Sequence, residues 1–450
     1  MTMESIELVV ERMRGYGDRT ALYWKGAEHS YRELFAMVEA WHGELAELGI
    51  GAGSVVAVLG EFSPRTCSLF FALMQARAII VPFTRAIQPE VPAFMEIAGV
   101  EHLITVDEAD AWTHEAFANV PQNELIDQFR GGPPGLVVFS SGSTGKPKGI
   151  LQDCERVMRK FVKERRGWRT VLFLMMDHFG GFNTFLSAFA YGGVGVCVSD
   201  RSPGEVCRAI QDGKANLLPT TPTFLNLLIA TRAFREFDLS SIELITYGTE
   251  VMPEATLEKV REIFPNCTVK QTYGLSELGV LRSKSKSDDS PWVKIGGDGF
   301  EIKVIDDTLW VRSEANMVGY LNAPNPIDAE GWMCTGDRVE VDGEYFRILG
   351  RQSDMINVGG QKVFPVEVET ILLEADNVVE AAVYGAKHPM LGSVVHARIT
   401  LGKPEERRAL TERLRAHCMG RLAKYKLPVR FHIAEGDQHS VRFKKVRDQA

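Results

Sequence analysis

The chain predicts an α/β protein: a large N-terminal domain of parallel-rich sheets with helices plus a small antiparallel barrel, then a small C-terminal α+β domain. Three observations predict it. From about Ser54 to Tyr273, short apolar runs alternate with helical stretches of ten to fifteen residues, the pattern of βαβ units. Most of these runs are continuously apolar, as in strands covered on both faces. Between Ile295 and Tyr345 the texture turns to polar–apolar alternation, and near Gly350 a second mixed unit begins.

In order, the N-terminal "MTMESIELVVERMRGYG" is amphipathic and acidic early, and lacks the basic region and cleavage pattern of a signal peptide. "SVVAVLG" reads as a strand, "RTCSLFFALMQAR" as a helix, and "AIIVPF", "EHLITV" and "GLVVFSS" as further strands. The greasy run Leu69 to Phe83 is too short to span a bilayer and carries Gln75 and Arg77, so it reads as a helix entering a buried strand. Downstream, strand "TVLFLMM" precedes helix "FNTFLSAFAYGG", "VGVCVSD" precedes "EVCRAIQDGKA", and "ANLLPT" precedes "PTFLNLLIA". "SIELITYG" precedes "PEATLEKVREIF", whose Pro253 suits a first helical turn, and "CTVKQTYG" closes the series. "EIKVIDDTLWVRS" and "RVEVDGEYFRILG", the latter with Asp-Gly at a turn, read as antiparallel strands. The last unit has helix "EVETILLEA", strands "VVEAAVYGA" and "VVHARITL", and the long helix "PEERRALTERLRAHCMGRLA".

Composition narrows the function. Apolar residues make up 45% and charged residues 24% of the 450, an ordinary globular balance with enough apolar mass for more than one domain. A net charge of −8 argues against nucleic acid as a partner, while leaving room for a local cationic pocket. The 7 cysteines include no C-x-x-C pair and are odd in number, so reduced thiols are expected rather than a disulfide framework or zinc site. With no span and no leader pattern, the expected location is cytoplasmic.

The most informative stretch is "VVFSSGSTGKPKGI", Val137 to Ile150. It follows a buried strand, and in parallel sheets ligands bind beyond strand carboxyl ends. Gly142, Gly145 and Gly149 permit backbone N–H groups to converge as an anion nest. Ser140, Ser141, Ser143 and Thr144 add hydroxyl donors, Lys146 and Lys148 add charge, and Pro147 stiffens the gap between the lysines. This chemistry suits a polyphosphate. The nucleotide-binding pattern G-x-x-x-x-G-K-[ST] does not fit, because Pro147 follows Lys146 and Gly142 lies too close to Gly145.

The stretch resembles the phosphate loop of the adenylate-forming superfamily, which includes acyl- and aryl-CoA synthetases, peptide-synthetase adenylation domains and luciferases. The other motifs of that superfamily follow in order. "QTYGLSE" resembles its Y-G-x-[ST]-E; the resemblance implies a nucleotide site at Thr272, Tyr273, Gly274 and Ser276, with Tyr273 stacking on adenine, Ser276 on the α-phosphate and Glu277 holding Mg²⁺. "MCTGD" resembles T-G-D, implying that Asp337 binds the ribose hydroxyls. "LGRQSDMINVGGQKVFPVEVE" resembles the hinge signature, with Arg351 reaching ribose or phosphate. "YGTE" occupies the place of the loop that lines adenine and floors the acyl pocket, implicating Gly248, Thr249 and Glu250, although the commoner Gly-Gly-Ala is absent. "DHFGGF" resembles the aromatic motif near the acyl carboxylate, with His178 on the frequent histidine.

Two departures matter. Peptide-synthetase domains place an aspartate where this chain, aligned on His178, has Phe179, so the expected acid lacks an α-amino group. The usual ending, P-x-T-x-x-G-K-x-x-R, becomes "HSVRFKKVRDQA": Lys444 takes the catalytic lysine position, with Lys445 as a rival shifted by one residue, and Phe443 replaces glycine.

The resemblance implies domains at 1–351 and 355–450, the latter mobile about a hinge at 352–354. It also implies ATP and Mg²⁺ as cofactors and catalytic roles for Lys444, Thr144, Lys148 and His178. An acid would be converted to acyl-AMP and passed to a pantetheine thiol, with Gly359 and Gly360 approaching the arm. Coenzyme A and a carrier protein's phosphopantetheine both remain open as acceptor, and a non-catalytic AMP- or acyl-AMP-binding protein is the alternative from another class.

Overall fold

The computed structural model describes residues 4–140, 147–287, 290–297, 299–434, 436, 438–440 and 443–447. Two seven-stranded sheets make the bulk of the larger part. In the first, Thr268–Gln271, Leu244–Tyr247, Leu217–Thr220, Arg169–Leu172, Val194–Cys197 and Thr20–Trp24 run parallel, with Ala27–Ser30 added as a hairpin at the edge. In the second, Gly135–Ser140, Ile79–Phe83, Val55–Leu59 and His102–Val106 are parallel. Antiparallel strands flank them: Lys148–Asp153 and Gly319–Tyr320 on one side, Trp112–Ala116 on the other.

Helices fill the space between these sheets. Ser5–Arg14, Tyr31–Glu47, Pro64–Gln75, Cys154–Val162 and Phe179–Ala190 share one core with Leu22 and Leu172 of the first sheet and Val56, Ile80 and Val138 of the second. The continuous apolar runs now have their reason. Val56 and Val58 face that core, while Val55, Ala57 and Leu59 face another on the opposite side of the same strand. Phe182, Phe185 and Phe189 lie on one stripe of Phe179–Ala190 and meet Phe70 and Phe71 edge-on or tilted. Burial of each ring contributes roughly 2 kcal/mol.

Local signals set several helix starts. Ser30 and Glu33 form a reciprocal capping box for Tyr31–Glu47, and Ser63 accepts from the Thr66 amide ahead of Pro64–Gln75. Pro253 sits one place earlier than the sequence suggested, at the N-cap of Glu254–Ile263 rather than inside its first turn.

The region from Tyr273 to Arg351 forms an antiparallel sheet of seven strands. A bridge between Gly297 and Phe300 links strands Trp292–Gly296 and Phe300–Ile305 and closes five of the seven into a ring, the expected small barrel. At "VDGE" the turn is Gly343–Glu344, with Asp342 already paired to Tyr345. The C-terminal unit has its own core, from Ile356 to Phe431. There the hairpin Val378–His388/Gly392–Leu401 is covered by helices Pro365–Leu373 and Arg407–Cys418. The second helix is shorter than its sequence suggested; it stops before Gly420, whose φ is +78°. All 7 cysteines are free thiols. Among the described residues no helix is long and apolar enough to cross a membrane.

One close approach shapes the start of Phe179–Ala190. A Cβ on Gly181 would lie 1.9 Å from the Met175 carbonyl oxygen. Backbone cannot give way as a side chain can, so Gly181→Ala should lower stability by about 3 kcal/mol. The check is the denaturant midpoint at unchanged slope; a shift within error would refute the packing described.

Candidate active site

Register gathers the sequence-identified residues on one rim. Thr220, Tyr247 and Gln271 are lateral partners in neighbouring parallel strands. The residues that follow them, Thr221, Gly248 and Thr272, therefore line the carboxyl edge of the first sheet. The fit there is tight. The Thr272 amide donates to the Tyr247 carbonyl at 2.7 Å and its hydroxyl to the same oxygen at 3.0 Å. A Cβ on Gly248 would stand 2.6 Å from Thr272 Oγ1, so only glycine fits. Thr249 adopts φ +70°, a strained conformation for a β-branched residue, and Glu250 accepts a 2.6 Å hydrogen bond from Thr223 Oγ1.

A second group lies where the other sheet meets the barrel. Ser140 ends its strand opposite Lys148. Ser141, Gly142, Ser143, Thr144 and Gly145, with Lys146, lie outside the described residues. The Lys148 ammonium is 4.9 Å from the centre of the Tyr320 ring, and the Tyr320 hydroxyl donates to Glu277 Oε1 at 2.7 Å. Burial, then the Glu277 carboxylate, pushes the Tyr320 hydroxyl pKa up, so it remains a donor. Gln152 donates to the Ser276 carbonyl, and Asn322 ties the loop by accepting from the Gly149 amide and donating to the Pro147 carbonyl.

Tyr273 and Asp337 are joined directly. The phenol donates to Asp337 Oδ2 at 2.6 Å, and Arg351 Nε stands 3.5 Å from Oδ1. Burial raises the Asp337 carboxyl above its usual range, with Arg351 and the Tyr273 hydroxyl pulling it back. Gly274 lies in the hairpin that follows, where a Cβ would sit 2.7 Å from the Gly279 carbonyl oxygen.

His178 occupies the N-cap position of Phe179–Ala190, half-buried, with its carbonyl accepting from the Phe182 amide at 3.0 Å. Phe179 is buried within 4 Å of the position a Cβ on Gly279 would take. Beneath this motif a buried pair, Glu61 and Arg201, meets at 2.8 Å, and Arg201 also donates to the Phe173 carbonyl. Burial raises the Glu61 carboxyl against the pull of Arg201, and Asp177 raises it further.

The C-terminal strip reaches the first rim. The Phe443 carbonyl accepts from Thr221 Oγ1 at 2.9 Å, and the Lys445 amide donates to Glu250 Oε1 at 2.5 Å. Lys444 lies between these two anchors. The side chain of Lys445 turns the other way, to Glu369 Oε2 at 3.2 Å. Glu369 is fully buried and also accepts two hydrogen bonds of 2.9 Å from Arg447, while Arg447 reaches Asp354 at 3.6 Å. Gly359 and Gly360 sit elsewhere. They form the two-residue turn between Ile356–Val358 and Gln361–Val363 at φ +57° and +87°, bonded to Leu391 and Asn357 of their own unit.

Several of these residues escaped the sequence reading. Tyr320 and Asn322 stand in "GYLN", a tyrosine and an amide just after a glycine, which was the available signal. Thr221 and Glu369 gave none, because their partners lie 222 and 76 to 78 residues away.

The arrangement can hold a nucleotide. Among the described residues no three His, Cys, Asp or Glu side chains converge as a metal site. A single carboxylate steered by Tyr320 instead fits Mg²⁺ carried in with phosphates, which needs only one or two protein oxygens. Lys148 brings a positive charge to this edge and Asp337 a carboxylate acceptor.

Comparison with known proteins agrees. A family model described as AMP-binding enzyme matches residues 9–321, and one described as AMP-binding enzyme C-terminal domain matches residues 367–444. The 2-succinylbenzoate–CoA ligase of Bacillus subtilis (strain 168) is 27% identical over 100% of this chain and 98% of its own. The indoleacetate–CoA ligase of Aromatoleum aromaticum is 27% identical over 91% of this chain and 90% of its own. Among solved structures, the anthranilate CoA ligase AuaEII in complex with anthranoyl-AMP superposes with a TM-score of 0.82 at 21% identity, covering 99% of this chain and 96% of that one.

The Glu369 cluster makes a pH prediction. Burial alone would raise this carboxyl, but Arg447 and Lys445 outweigh it and hold the group at about 2. A depressed pKa stabilises the fold above the unfolded value and loses that contribution as pH falls through about 2. Glu369→Gln should therefore cost about 3 kcal/mol at neutral pH. The gap from the parent should narrow as pH falls below the ordinary value of 4.5 and be lost near about 2, where the folded carboxyl protonates. Denaturation curves across pH check this; a gap that does not depend on pH would contradict it.

Proposed function

The chain belongs to the AMP-binding enzyme family, and from that premise we propose that it is an AMP-forming acid–thiol ligase that activates a carboxylic acid as acyl-AMP and passes the acyl group to coenzyme A. The observation that carries the reading is the C-terminal strip docked on the rim, which brings Lys444 between Thr221 and Glu250. The commitment of Lys445 to the buried Glu369 supports Lys444 over its neighbour as the catalytic lysine.

In the first half-reaction a carboxylate oxygen of the acid bonds to the α-phosphorus of ATP, and the bond from that phosphorus to the bridging oxygen breaks, releasing pyrophosphate. Two anions must meet, so repulsion dominates the barrier. Lys444 and Lys148 place positive charge against it, and a preorganised donor of this kind is worth about 3–4 kcal/mol. Glu277, oriented by Tyr320, would hold Mg²⁺, which supplies further charge neutralisation when bound. Asp337 binds the ribose and Tyr273 orders the adenine side. His178, at the head of Phe179–Ala190, orients the incoming carboxylate, and the apolar Phe179 beside it favours an acid without an α-amino group.

In the second half-reaction the thiol sulfur bonds to the acyl carbon, the anhydride bond to AMP breaks, and the thiol proton is lost to solvent or phosphate. The C-terminal unit, residues 355–450, turns about Gln352–Asp354 to withdraw Lys444 and bring the Gly359–Gly360 turn to the rim. The hydrogen bonds of that turn, to Leu391 and Asn357, lie within its own unit and would travel with it. The compartment we assign is the cytoplasm, on the free thiols and acidic charge.

Exchange of pyrophosphate into ATP, with 2-succinylbenzoate, indoleacetate and anthranilate as acids, tests the activity. Lys444→Ala should slow acyl-AMP formation about 100- to 1000-fold. Gly360→Leu should leave acyl-AMP formation intact and block thioester formation, read as coenzyme A consumption from preformed acyl-AMP. If that glycine variant loses both steps together, the two-orientation reading fails.

A further inference from the structure

We infer that Phe443 is a positioning residue, whose ring lodges in the N-terminal core, seats Lys444 for acyl-AMP formation and holds the C-terminal unit in that orientation. The inference rests on the role of Lys444 proposed above.

Phe443 is held in a conformation its own chemistry disfavours. The Phe443 amide donates to the Ser440 carbonyl at 2.9 Å, and the Ser440 amide donates to the Lys444 carbonyl at 2.8 Å. In the turn so closed Phe443 has φ +51°, in the left-handed region that glycine occupies freely and a bulky residue rarely. A glycine would close the same turn without strain, and glycine is what the resembling family has there. A strained residue persists where its surroundings over-determine it.

All but one of the rings around it belong to the other domain. The Phe443 ring lies 5.3 Å from the ring of Phe173 and 5.6 Å, edge-on, from that of Phe224, with His439 stacked on it at 5.3 Å. Phe173, just beyond strand Arg169–Leu172, and Phe224, in helix Pro222–Thr231, are buried core residues of the N-terminal part. Phe173 is itself held through its carbonyl by the buried Arg201, and Thr221, which donates to the Phe443 carbonyl, caps the helix that begins at Pro222. The Phe443 ring, its carbonyl and the Lys445 amide are thus held by Phe173 and Phe224, by Thr221 and by Glu250. Lys444, between them, loses the freedom to swing away from the rim. The same contacts must part before the C-terminal unit can turn.

The test separates positioning from mere packing. Phe443→Ala and Phe443→Leu are assayed for acyl-AMP formation, by pyrophosphate exchange with the three acids named above, and separately for thioester formation from preformed acyl-AMP and coenzyme A. Expected are a loss of about 10-fold in the first step for alanine, partial retention for leucine, and a change under 2-fold or a gain in the second. Phe443→Ala combined with Lys444→Ala should be no slower than Lys444→Ala alone, since both act through one ammonium group. Hydrogen exchange on the nucleotide-free enzyme provides a readout that needs no acid: the Lys445 amide, bonded to Glu250, should exchange about 10-fold faster in Phe443→Ala while the Val383 amide on Glu369 is unchanged. Equal losses in both half-reactions, an additive double variant, or unaltered Lys445 exchange would overturn the inference. If Lys444→Ala itself leaves acyl-AMP formation intact, the prior assignment fails instead. If none of the acids turns over, the exchange experiment alone decides.

Discussion

Everything at the rim depends on a strip of chain held from two sides. A fully buried carboxylate, Glu369, binds the side chains of Lys445 and Arg447, so residues 445 to 447 travel with the C-terminal unit. Thr221 and Glu250 bind the backbone on either side of Lys444, so that residue is presented to the N-terminal sheet. The first grip is strong because a buried charge stripped of its partner costs several kcal/mol. The second consists of two hydrogen bonds and a ring contact, which is weak enough to part. In the mechanism proposed above, that difference would let Lys444 act at the site and then leave without unravelling the unit that carries it.

The rim itself follows from parallel strands. Their carboxyl ends fall side by side in register, so loops from distant parts of the chain must meet there. Meeting so closely demands glycine at Gly248, where any side chain would collide with Thr272. The antiparallel sheet orders its own carboxylates near this edge. Asp337 comes to Tyr273 and Glu277 to Tyr320, each carboxylate oriented by a phenol before any ligand arrives. Preorganisation of this kind is where electrostatic catalysis draws its advantage over water.

Much of this was legible in the chain. Unbroken apolar runs such as Val55–Leu59 announced strands buried twice over, because a strand with only one core face can alternate. The hydroxyl-, glycine- and lysine-rich stretch after Phe139 raised the expectation of phosphate chemistry, because few other ligands call for that mixture. Less was legible where a boundary depends on neighbours: the strand beginning near Thr170 ends at Leu172 although apolar residues continue, and the last long helix stops at Cys418. Local composition cannot report where a lateral partner runs out.

What the sequence determined by itself was the set of chemical groups, their order and the alternation that builds parallel sheets, since these rest on periodicity and residue type. What only the tertiary structure decided was which groups touch. The partner of Lys445 is the clearest case. Adjacent lysines look alike in a string, but the side chain of Lys445 meets a buried carboxylate brought from 76 residues away. Phe443 likewise looked like a defect in a motif until the fold set two rings of another domain against it. Contacts across such separations depend on how sheets and helices pack, and no local pattern encodes that packing.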